Sequence, residues 1–255
     1  MTSSGQAPNS RTLVSPIVWN LGKVRITQLV EVDAGSVIQE VIPKATKERI
    51  REIPWLMPQF AHADGSLKAL VQTFVVETVN SCVVVDTCVG NLKSRTVVLE
   101  WGNLQTDFLG KFANLGFKRE KVDVVLCTHL HFDHVQWNTK LSEGKWVPTF
   151  PRARYLFAEQ EFRYWKGRPA VEIEDQHAGF VDSVLPVFDA GLVDLVPLDH
   201  SICDEVSLFP TPGHTPAHVS VSVKSDIGTA IITGDVMHHP CQIANPEWEA
   251  IGDLL

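Results

Sequence analysis

Alternating and continuous runs of apolar residues predict a chain rich in β-strands. Residues 23–30 alternate polar and apolar side chains, which is the pattern of a half-buried strand. Residues 122–126 are almost uninterruptedly apolar and mostly β-branched, which is typical of a strand covered on both faces. Further strands are predicted at 70–76, 82–85, 153–157, 192–198, 205–210, 219–223 and 229–235.

Apolar residues spaced three and four apart predict helices between several of these strands. The longest such stretch is 92–116, which has one interruption. Residues 158–165 predict a second helix, and residues 181–187 predict a third that ends near Pro186. We expect the polar and acidic stretch 166–178 to be a surface excursion.

The order of these elements, with helices between strands, indicates a layered α/β sandwich. A chain of 255 residues with 44% hydrophobic content is large enough for one such domain with a full core. We therefore expect a single domain over residues 16–255. Residues 1–15 are rich in Ser, Pro, Gly and Asn, and this composition predicts a flexible leader.

Three histidines and an aspartate follow the apolar strand at 122–126. His129 and His131 are two residues apart, so an extended backbone points both imidazoles to one side, and Asp133 and His134 follow as the chain turns. Imidazole and carboxylate donors without a thiolate suit Zn²⁺, Mn²⁺ or Fe²⁺ and argue against a purely structural zinc site. The alternative is a polar loop whose histidines only form hydrogen bonds. Four donors in so short a stretch favour a metal site.

A second histidine-containing loop lies at 211–218, between two predicted strands. Gly213 allows backbone conformations that other residues resist, and the flanking prolines stiffen the loop, so His214 would be held in one place. Such an imidazole suits a metal ligand. Alone, this loop is weak support for a metal site, but together with the donors at 129–134 the support becomes strong.

Both loops resemble motifs of a known family. His129-Leu-His-Phe-Asp-His134 resembles the His-x-His-x-Asp-His motif of the metallo-β-lactamase superfamily, and Pro212-Gly-His-Thr-Pro-Ala-His218 resembles its second motif. The resemblance runs from about Val24 to the C-terminus. It implies a four-layer αββα sandwich and a hydrolase that uses two divalent metal ions, with Zn²⁺ as the expected metal and Mn²⁺ or Fe²⁺ as alternatives.

The resemblance also implies a role for each donor. Metal 1 would be held by His129, His131 and His214. Metal 2 would be held by Asp133, His134 and Asp235, which ends the predicted strand 229–235 and would bridge the two metals. Asp133 and Asp235 would be the catalytic carboxylates. His218 would lie nearby without being a usual ligand.

Asp86 lies at the end of the predicted strand 82–85 and is followed by Thr87, Cys88, Val89 and Gly90. This element resembles the Val-Asp-Thr-Gly element of the superfamily, in which the aspartate supports the metal site without binding metal. Cys88 stands where that family often has glycine. The alternative is that Asp86 only caps the following turn.

The chain departs from the resemblance after Asp235. Most family members have a further metal-2 histidine some tens of residues later, and no histidine follows His239 here. We consider truncation, a ligand from a partner, or a loosely held second metal, and we favour truncation. His238 or His239 could substitute as this ligand only if the chain folded straight back after Asp235. We therefore expect a local structural or pocket role for them. Truncation would also remove the final strand and helix and leave an apolar sheet edge exposed. Such an edge would favour aggregation or a homodimer.

Charge and cysteine usage narrow the possible partners. The formal net charge is −8, and no cluster of Lys and Arg occurs, so we expect no nucleic-acid partner. The five cysteines are scattered without Cys-x-x-Cys spacing, which fits reduced thiols in a cytoplasm. We predict no signal peptide and no membrane-spanning segment, because the N-terminus is polar and no apolar run is long enough.

The sequence around the first motif resembles the branch that contains quorum-quenching lactonases and methyl parathion hydrolases. This resemblance implies a small-molecule substrate, namely a lactone, ester or phosphoester with an apolar part. Trp137, Trp146 and Phe162 are the side chains expected to receive that part. The alternatives are a non-catalytic metal-binding scaffold with a degenerate site and a flavodiiron-like oxidoreductase on the same fold, against which the intact histidine motif argues.

Overall fold

The computed structural model describes residues 16–168 and 174–252, so the expected leader, residues 1–15, lies outside the described residues. The strands are β1 Val18–Leu21, β2 Val24–Asp33, β3 Leu70–Glu77, β4 Cys82–Val85, β5 Val124–Leu126, β6 Thr139–Ser142, β7 Lys145–Pro148, β8 Arg154–Ala158, β9 Val193–Val196, β10 Val206–Pro210, β11 Val219–Ser225 and β12 Gly228–Ile232. The α-helices are α1 Gly35–Val41, α2 Lys47–Arg51, α3 Phe108–Asn114, α4 Phe132–Val135, α5 Glu159–Lys166, α6 Glu174–Gly179, α7 Leu185–Asp189 and α8 Cys241–Ala244.

The larger sheet has seven strands in the order β1-β2-β3-β4-β5-β8-β9. Strands β1 to β4 pair antiparallel, whereas β4, β5, β8 and β9 pair parallel. The parallel pairs follow from helical connections, because α3 lies between β4 and β5 and α5 to α7 lie between β8 and β9. All carboxyl ends of these parallel strands therefore lie at one edge of the sheet.

The second sheet consists of β10, β11 and β12, which pair antiparallel, and β6 and β7 form a separate hairpin. The two large cores lie on opposite faces of the larger sheet. Val84 and Val125 contribute to the core on the helical face, with Phe112 and Phe162. Val85 and Leu126 contribute to a core that also contains residues of β10, β11 and β12, such as Val221. Strand β5 is therefore covered on both faces, as its apolar run predicts.

The predicted helix over 92–116 is wrong for most of its length. Only α3 at its end is α-helical, preceded by a 3₁₀ turn at Leu99–Trp101. The carboxylate of Asp175 accepts hydrogen bonds of 2.8 Å from the backbone N–H groups of Thr96 and Val97, which holds the segment as a loop. The side chain of Val97 is 70% exposed as a result.

The segment before β9 also differs from prediction. Residues 169–173 of the expected surface excursion lie outside the described residues. Its residues 174–178 are helical in α6, where Asp175 is buried. Pro186 does not end a helix. It stands in the first turn of α7, which follows directly on a π-helical turn at Phe180–Val184. Within the described residues, no helix is long and apolar enough to cross a membrane.

Candidate metal centre

The predicted metal ligands come from loops that follow strands of both sheets. His129 and His131 lie in the loop after β5, and Asp133 and His134 lie in the first turn of the short helix α4. His214 lies in the loop between β10 and β11.

Asp235 follows β12 in a 3₁₀ turn at Gly234–Val236. Side chains from two sheets therefore meet at the carboxyl end of β5.

The ligand atoms are close enough together to share metal ions. His129, His131 and His214 each offer a nitrogen, and these atoms all lie within 4.8 Å of one another. Asp235 lies beside this triad, with Oδ2 3.3 Å from His134 Nε2 and 3.6 Å from His214 Nε2.

Asp133 Oδ2 lies 3.7 Å from His134 Nε2. The structure thus brings all six sequence-predicted ligands into one cluster.

Asp86 orients two of the imidazoles without facing the centre of the cluster. Its Oδ1 accepts a hydrogen bond of 2.7 Å from the backbone N–H of Thr128, and its Oδ2 accepts one of 2.9 Å from the Thr128 hydroxyl. Oδ2 also lies 2.9 Å from His134 Nδ1. Because Asp86 is an acceptor, His134 Nδ1 donates to it, and a metal ion would displace the proton from Nε2 and bind there. The contact to His134 goes beyond a turn cap.

The Thr128 hydroxyl connects Asp86 to His129 and fixes which nitrogen of His129 carries the proton. It lies 3.0 Å from His129 Nδ1, and since its own hydrogen is donated to Asp86, its oxygen accepts from Nδ1. The lone pair of His129 then lies on Nε2. That atom is buried and has no hydrogen-bond partner among the described residues. A buried polar atom without a partner is costly, and a metal ion would satisfy it.

The charges within the cluster are strongly coupled. Burial disfavours the charged form of His134, but the carboxylates of Asp235, Asp133 and Asp86 outweigh burial and raise its pKa well above the ordinary value. Burial likewise disfavours the carboxylate of Asp235, but His134 and neighbouring histidines lower its pKa well below its usual range. Without a metal ion, a protonated His134 thus supplies the positive charge that offsets the neighbouring carboxylates.

Burial has the opposite effect on the first two histidines. Desolvation, together with neighbouring imidazoles, lowers the pKa values of His129 and His131 well below their ordinary value. Both rings are therefore neutral at pH 7. A neutral imidazole is the form that binds a metal ion.

Glu161 of α5 connects the two ligand loops, and sequence reasoning missed it. Its Oε1 accepts hydrogen bonds from the backbone N–H of Leu130 at 3.2 Å and from Trp165 Nε1 at 2.7 Å. Its Oε2 accepts one of 2.9 Å from the Thr215 hydroxyl. Leu130 lies between His129 and His131, and Thr215 follows His214. Glu161 is therefore a buried link between both loops.

His218, His238 and His239 have different surroundings. His218 Nε2 accepts a hydrogen bond of 3.0 Å from the backbone N–H of Asp235, so it lies near the ligands without pointing into them. His239 is buried and has a structural role, with Nε2 2.9 Å from the backbone oxygen of Phe60. His238 points into the cluster instead, and its Nε2 lies 3.5 Å from Asp235 Oδ2.

A cavity of about 730 Å³ opens onto the ligand cluster. Its polar end is formed by Asp86, Asp133, His134, Asp235 and His238. Its walls are largely apolar and include Val18, Trp19, Ile38, Val71, Phe74, Trp101 and Ile231. An apolar cavity with a few polar groups at one end is typical of a small-molecule site.

The aromatic residues predicted for this pocket do not line it. Trp137 is buried, stacks on Phe108 at a ring distance of 4.9 Å, and donates a hydrogen bond to Glu31. Trp146 packs over the ammonium group of Lys93, and Phe162 is buried in the helical core. The interpretation as pocket walls was wrong, because Trp137 and Phe162 fill the core on the helical face of the sheet and Trp146 is half-buried in the β6–β7 hairpin.

Most of the sequence matches one protein family. Residues 69–253 match the metallo-beta-lactamase superfamily. The chain belongs to this superfamily. Members bind divalent metal ions, and the histidine and aspartate cluster supplies a suitable donor set.

Curated relatives of this metallo-β-lactamase superfamily chain include two from Bacillus. The probable metallo-hydrolase YflN of Bacillus subtilis (strain 168) is 28% identical over 146 residues, which are 53% of this chain and 50% of the relative. An N-acyl homoserine lactonase of Bacillus cereus is 26% identical over 125 residues, which are 49% of this chain and 42% of the relative. The chain thus spans about half the length of the curated relatives it matches.

Solved structures confirm the metallo-β-lactamase fold. Hydrolase AbOPH in the beta lactamase superfamily has a TM-score of 0.75 at 21% identity, and the match covers 95% of this chain and 81% of that one. AidC, a dizinc quorum-quenching lactonase, has a TM-score of 0.67 at 17% identity, with 93% and 80% covered. At such identities the likeness shows the fold.

Proposed function

We propose that this protein is a metal-dependent hydrolase that cleaves a lactone, ester or phosphoester bearing an apolar group. The observation that carries the proposal is the position of the ligand cluster at one end of an apolar cavity. A substrate that enters this cavity meets the donors Asp133, His134 and Asp235 at its polar end.

The ligand cluster suits two divalent ions, with Zn²⁺ as the expected metal. His129, His131 and His214 would hold one ion, and Asp133 and His134 would hold the other. Asp235 would bridge both, which its distances to His134 and His214 support. When bound, such ions supply Lewis-acid activation of water and of the substrate oxygen. The orphaned Nε2 of His129 fits such an ion.

The chain's own residues supply positioning and proton handling. Asp86 fixes the proton of His134 on Nδ1, so Nε2 faces the centre of the cluster. Asp133 borders the cavity, so the carboxylate that would help to hold the second ion also faces the space that a substrate would enter. From there it would accept a proton from attacking water and pass it to the leaving group.

The apolar walls favour a substrate with a hydrophobic arm. Trp19, Phe74 and Trp101 supply aromatic surface, and Ile38 and Ile231 supply aliphatic surface. Burying one aliphatic side chain's worth of surface contributes roughly 1.5–3 kcal/mol, so an acyl or aromatic arm would dominate substrate binding. N-acyl lactones match this description, and two relatives are N-acyl homoserine lactonases.

The proposal is tested by metal analysis combined with turnover. The purified chain is loaded with Zn²⁺ or Mn²⁺, its metal content is measured, and hydrolysis is followed on N-acyl lactones, p-nitrophenyl esters and phosphotriesters. We expect two equivalents of metal and activity that rises with the length of the apolar arm. His131→Ala should remove both, whereas His62→Ala, at an exposed position outside the cluster, should change neither.

Two outcomes would contradict the proposal. Metal binding without turnover of any of these substrates would support a non-catalytic scaffold. An unchanged rate in His131→Ala would remove the assignment of the site itself.

A further inference from the structure

His238 lies in close contact with two residues of the ligand cluster, Asp235 and His214. Its Nε2 is 3.5 Å from Asp235 Oδ2, and its ring centroid is 4.7 Å from that of His214. His214, Asp235 and His238 each offer a ligand atom, and these atoms all lie within 4.8 Å of one another. The ligand atoms of His129, His131 and His214 also lie within that distance of one another.

The backbone between Asp235 and His238 makes this approach possible. Asp235 has φ −95° and ψ 34°, and Met237 is extended with φ −150° and ψ 141°. The chain therefore turns out of the 3₁₀ segment and returns toward the cluster.

Residue 238 is also fixed from outside the cluster. Gln242 Oε1 accepts hydrogen bonds from the backbone N–H groups of His238 at 2.7 Å and of His239 at 3.2 Å. Gln242 is anchored in turn, because its Nε2 donates to the backbone oxygen of Trp248 at 2.9 Å. This arrangement positions the imidazole before any ligand arrives, which lowers the entropy cost of binding.

The imidazole itself has capacity to bind a ligand. Its side chain is only 7% exposed. Its Nδ1 is buried without a hydrogen-bond partner among the described residues. The ring thus lies beside the carboxylate of Asp235 and the imidazole of His214, while its hydrogen-bonding capacity is incompletely used. Imidazole and carboxylate together form a donor set that divalent zinc, manganese and iron accept.

We propose that His238 is a direct ligand of one of the two cations that Asp235 would hold. This inference rests on the proposed function and adds one donor to the set of six. A substrate-contacting residue at the same place would change substrate affinity but leave metal affinity alone. A ligand would change metal affinity first.

The test therefore measures metal binding separately from turnover. The metal-free chain is titrated with Co²⁺ and with Zn²⁺ in competition with a chromophoric chelator, and the visible absorption of the Co²⁺ form is recorded. Variants are His238→Ala, His238→Gln and His238→Glu, with His62→Ala as the control at an exposed histidine. Circular dichroism of each metal-free variant checks the fold.

We expect His238→Ala and His238→Gln to weaken one equivalent of metal by at least about 100-fold, the upper range for loss of a supporting contact, and to alter the Co²⁺ spectrum. His238→Glu, which has a carboxylate of similar reach, should stay within about tenfold of the parent. The other equivalent and His62→Ala should be unchanged.

Parent-like affinity for both equivalents in His238→Ala would overturn the inference, and a change confined to KM would assign His238 to the cavity wall. His238→Glu as weak as His238→Ala would also overturn it. These failures leave the proposed function intact, whereas absence of metal binding by the parent chain would contradict both.

Discussion

The Nε2 atom of His218 accepts a hydrogen bond of 3.0 Å from the backbone N–H of Asp235. The opposite nitrogen, Nδ1, lies 2.9 Å from the hydroxyl of Thr211, so the ring spans the loop before β11 and the turn after β12. A ring nitrogen can accept only when it is not protonated. The position of Asp235 therefore depends on a neutral His218.

This dependence predicts acid destabilisation of the metal-free protein. Burial lowers the pKa of His218 to about 4, whereas an unfolded histidine has a pKa of about 6.5. Between these values the unfolded chain binds a proton that the folded chain excludes. The stability is therefore full above about pH 6.5 and falls toward pH 4, by about 3 kcal/mol for this group. Denaturant unfolding at several pH values, with a chelator present, measures the loss.

His218→Gln provides the comparison for that experiment. Glutamine has no titration in this range, so the variant should show a flatter dependence of unfolding free energy on pH, although other buried histidines still contribute. An equally steep dependence in the variant would contradict the role of His218.

Gly234 also lies against His218, and this contact yields a second prediction. Its φ is +56°, and an added Cβ would lie 2.6 Å from His218 Nε2 and 2.9 Å from Thr128 Oγ1. Gly234→Ala should lose about 1–2 kcal/mol of stability from the backbone alone. It should also displace the turn that carries Asp235, so metal affinity should fall.

Gly144→Ala is the matched control for this substitution. Gly144 has φ +75° in the β6–β7 hairpin, and an added Cβ would meet no atom within 4 Å. It should show the same backbone cost in thermal or denaturant unfolding with unchanged metal affinity. Equal metal affinity in both variants would show that the contact of Gly234 with His218 does not position Asp235.

Asp86 provides a third prediction, since it orients ligands without being one. Asp86→Asn removes the charge and presents an amide to donors that need an acceptor. We expect metal affinity to fall by about 10–100-fold, the usual effect of losing a partner that orients a ligand. Competition with a chelator measures the change.

Asp123→Asn is the control for Asp86→Asn. Asp123 also accepts a backbone hydrogen bond, from Cys82 at 2.8 Å, but it is exposed and remote from the cluster. Its variant should keep the parent's metal affinity. A loss of similar size in both variants would point to general destabilisation.

The two histidine loops were predictable because their determinants are local in sequence, whereas the role of Asp235 came from the resemblance to the superfamily. A nearly uninterrupted apolar run before His129 and His131 sets the burial of β5, and the spacing of the two histidines sets the side to which their imidazoles point. The stiff loop around His214 carries its own signal in Gly213 and the prolines. The three strands β10, β11 and β12 were also predicted, from their apolar residues and the turns between them.

The parts that failed depend on contacts between distant residues. The loop at 92–107 has helical spacing, but Asp175, far along the chain, takes up its backbone N–H groups. The cavity walls come from β1, β3 and β12, which meet only after folding. Trp137 has the composition of a pocket residue, and only its stacking on Phe108 and its bond to the buried Glu31 show otherwise.

Glu161 gives the last prediction, because it connects the two histidine loops from a position that has no motif. Burial raises the pKa of its carboxyl, but donors on both oxygens, including Leu130, Trp165 and Thr215, fix its orientation. Glu161→Gln replaces one acceptor with an amide that faces a donor, so one loop loses its link. We expect metal affinity to drop by about 10–100-fold. Glu159→Gln, on the exposed side of the same helix, should leave metal affinity unchanged. If Glu161→Gln binds metal as the parent does, the two loops hold their geometry without Glu161.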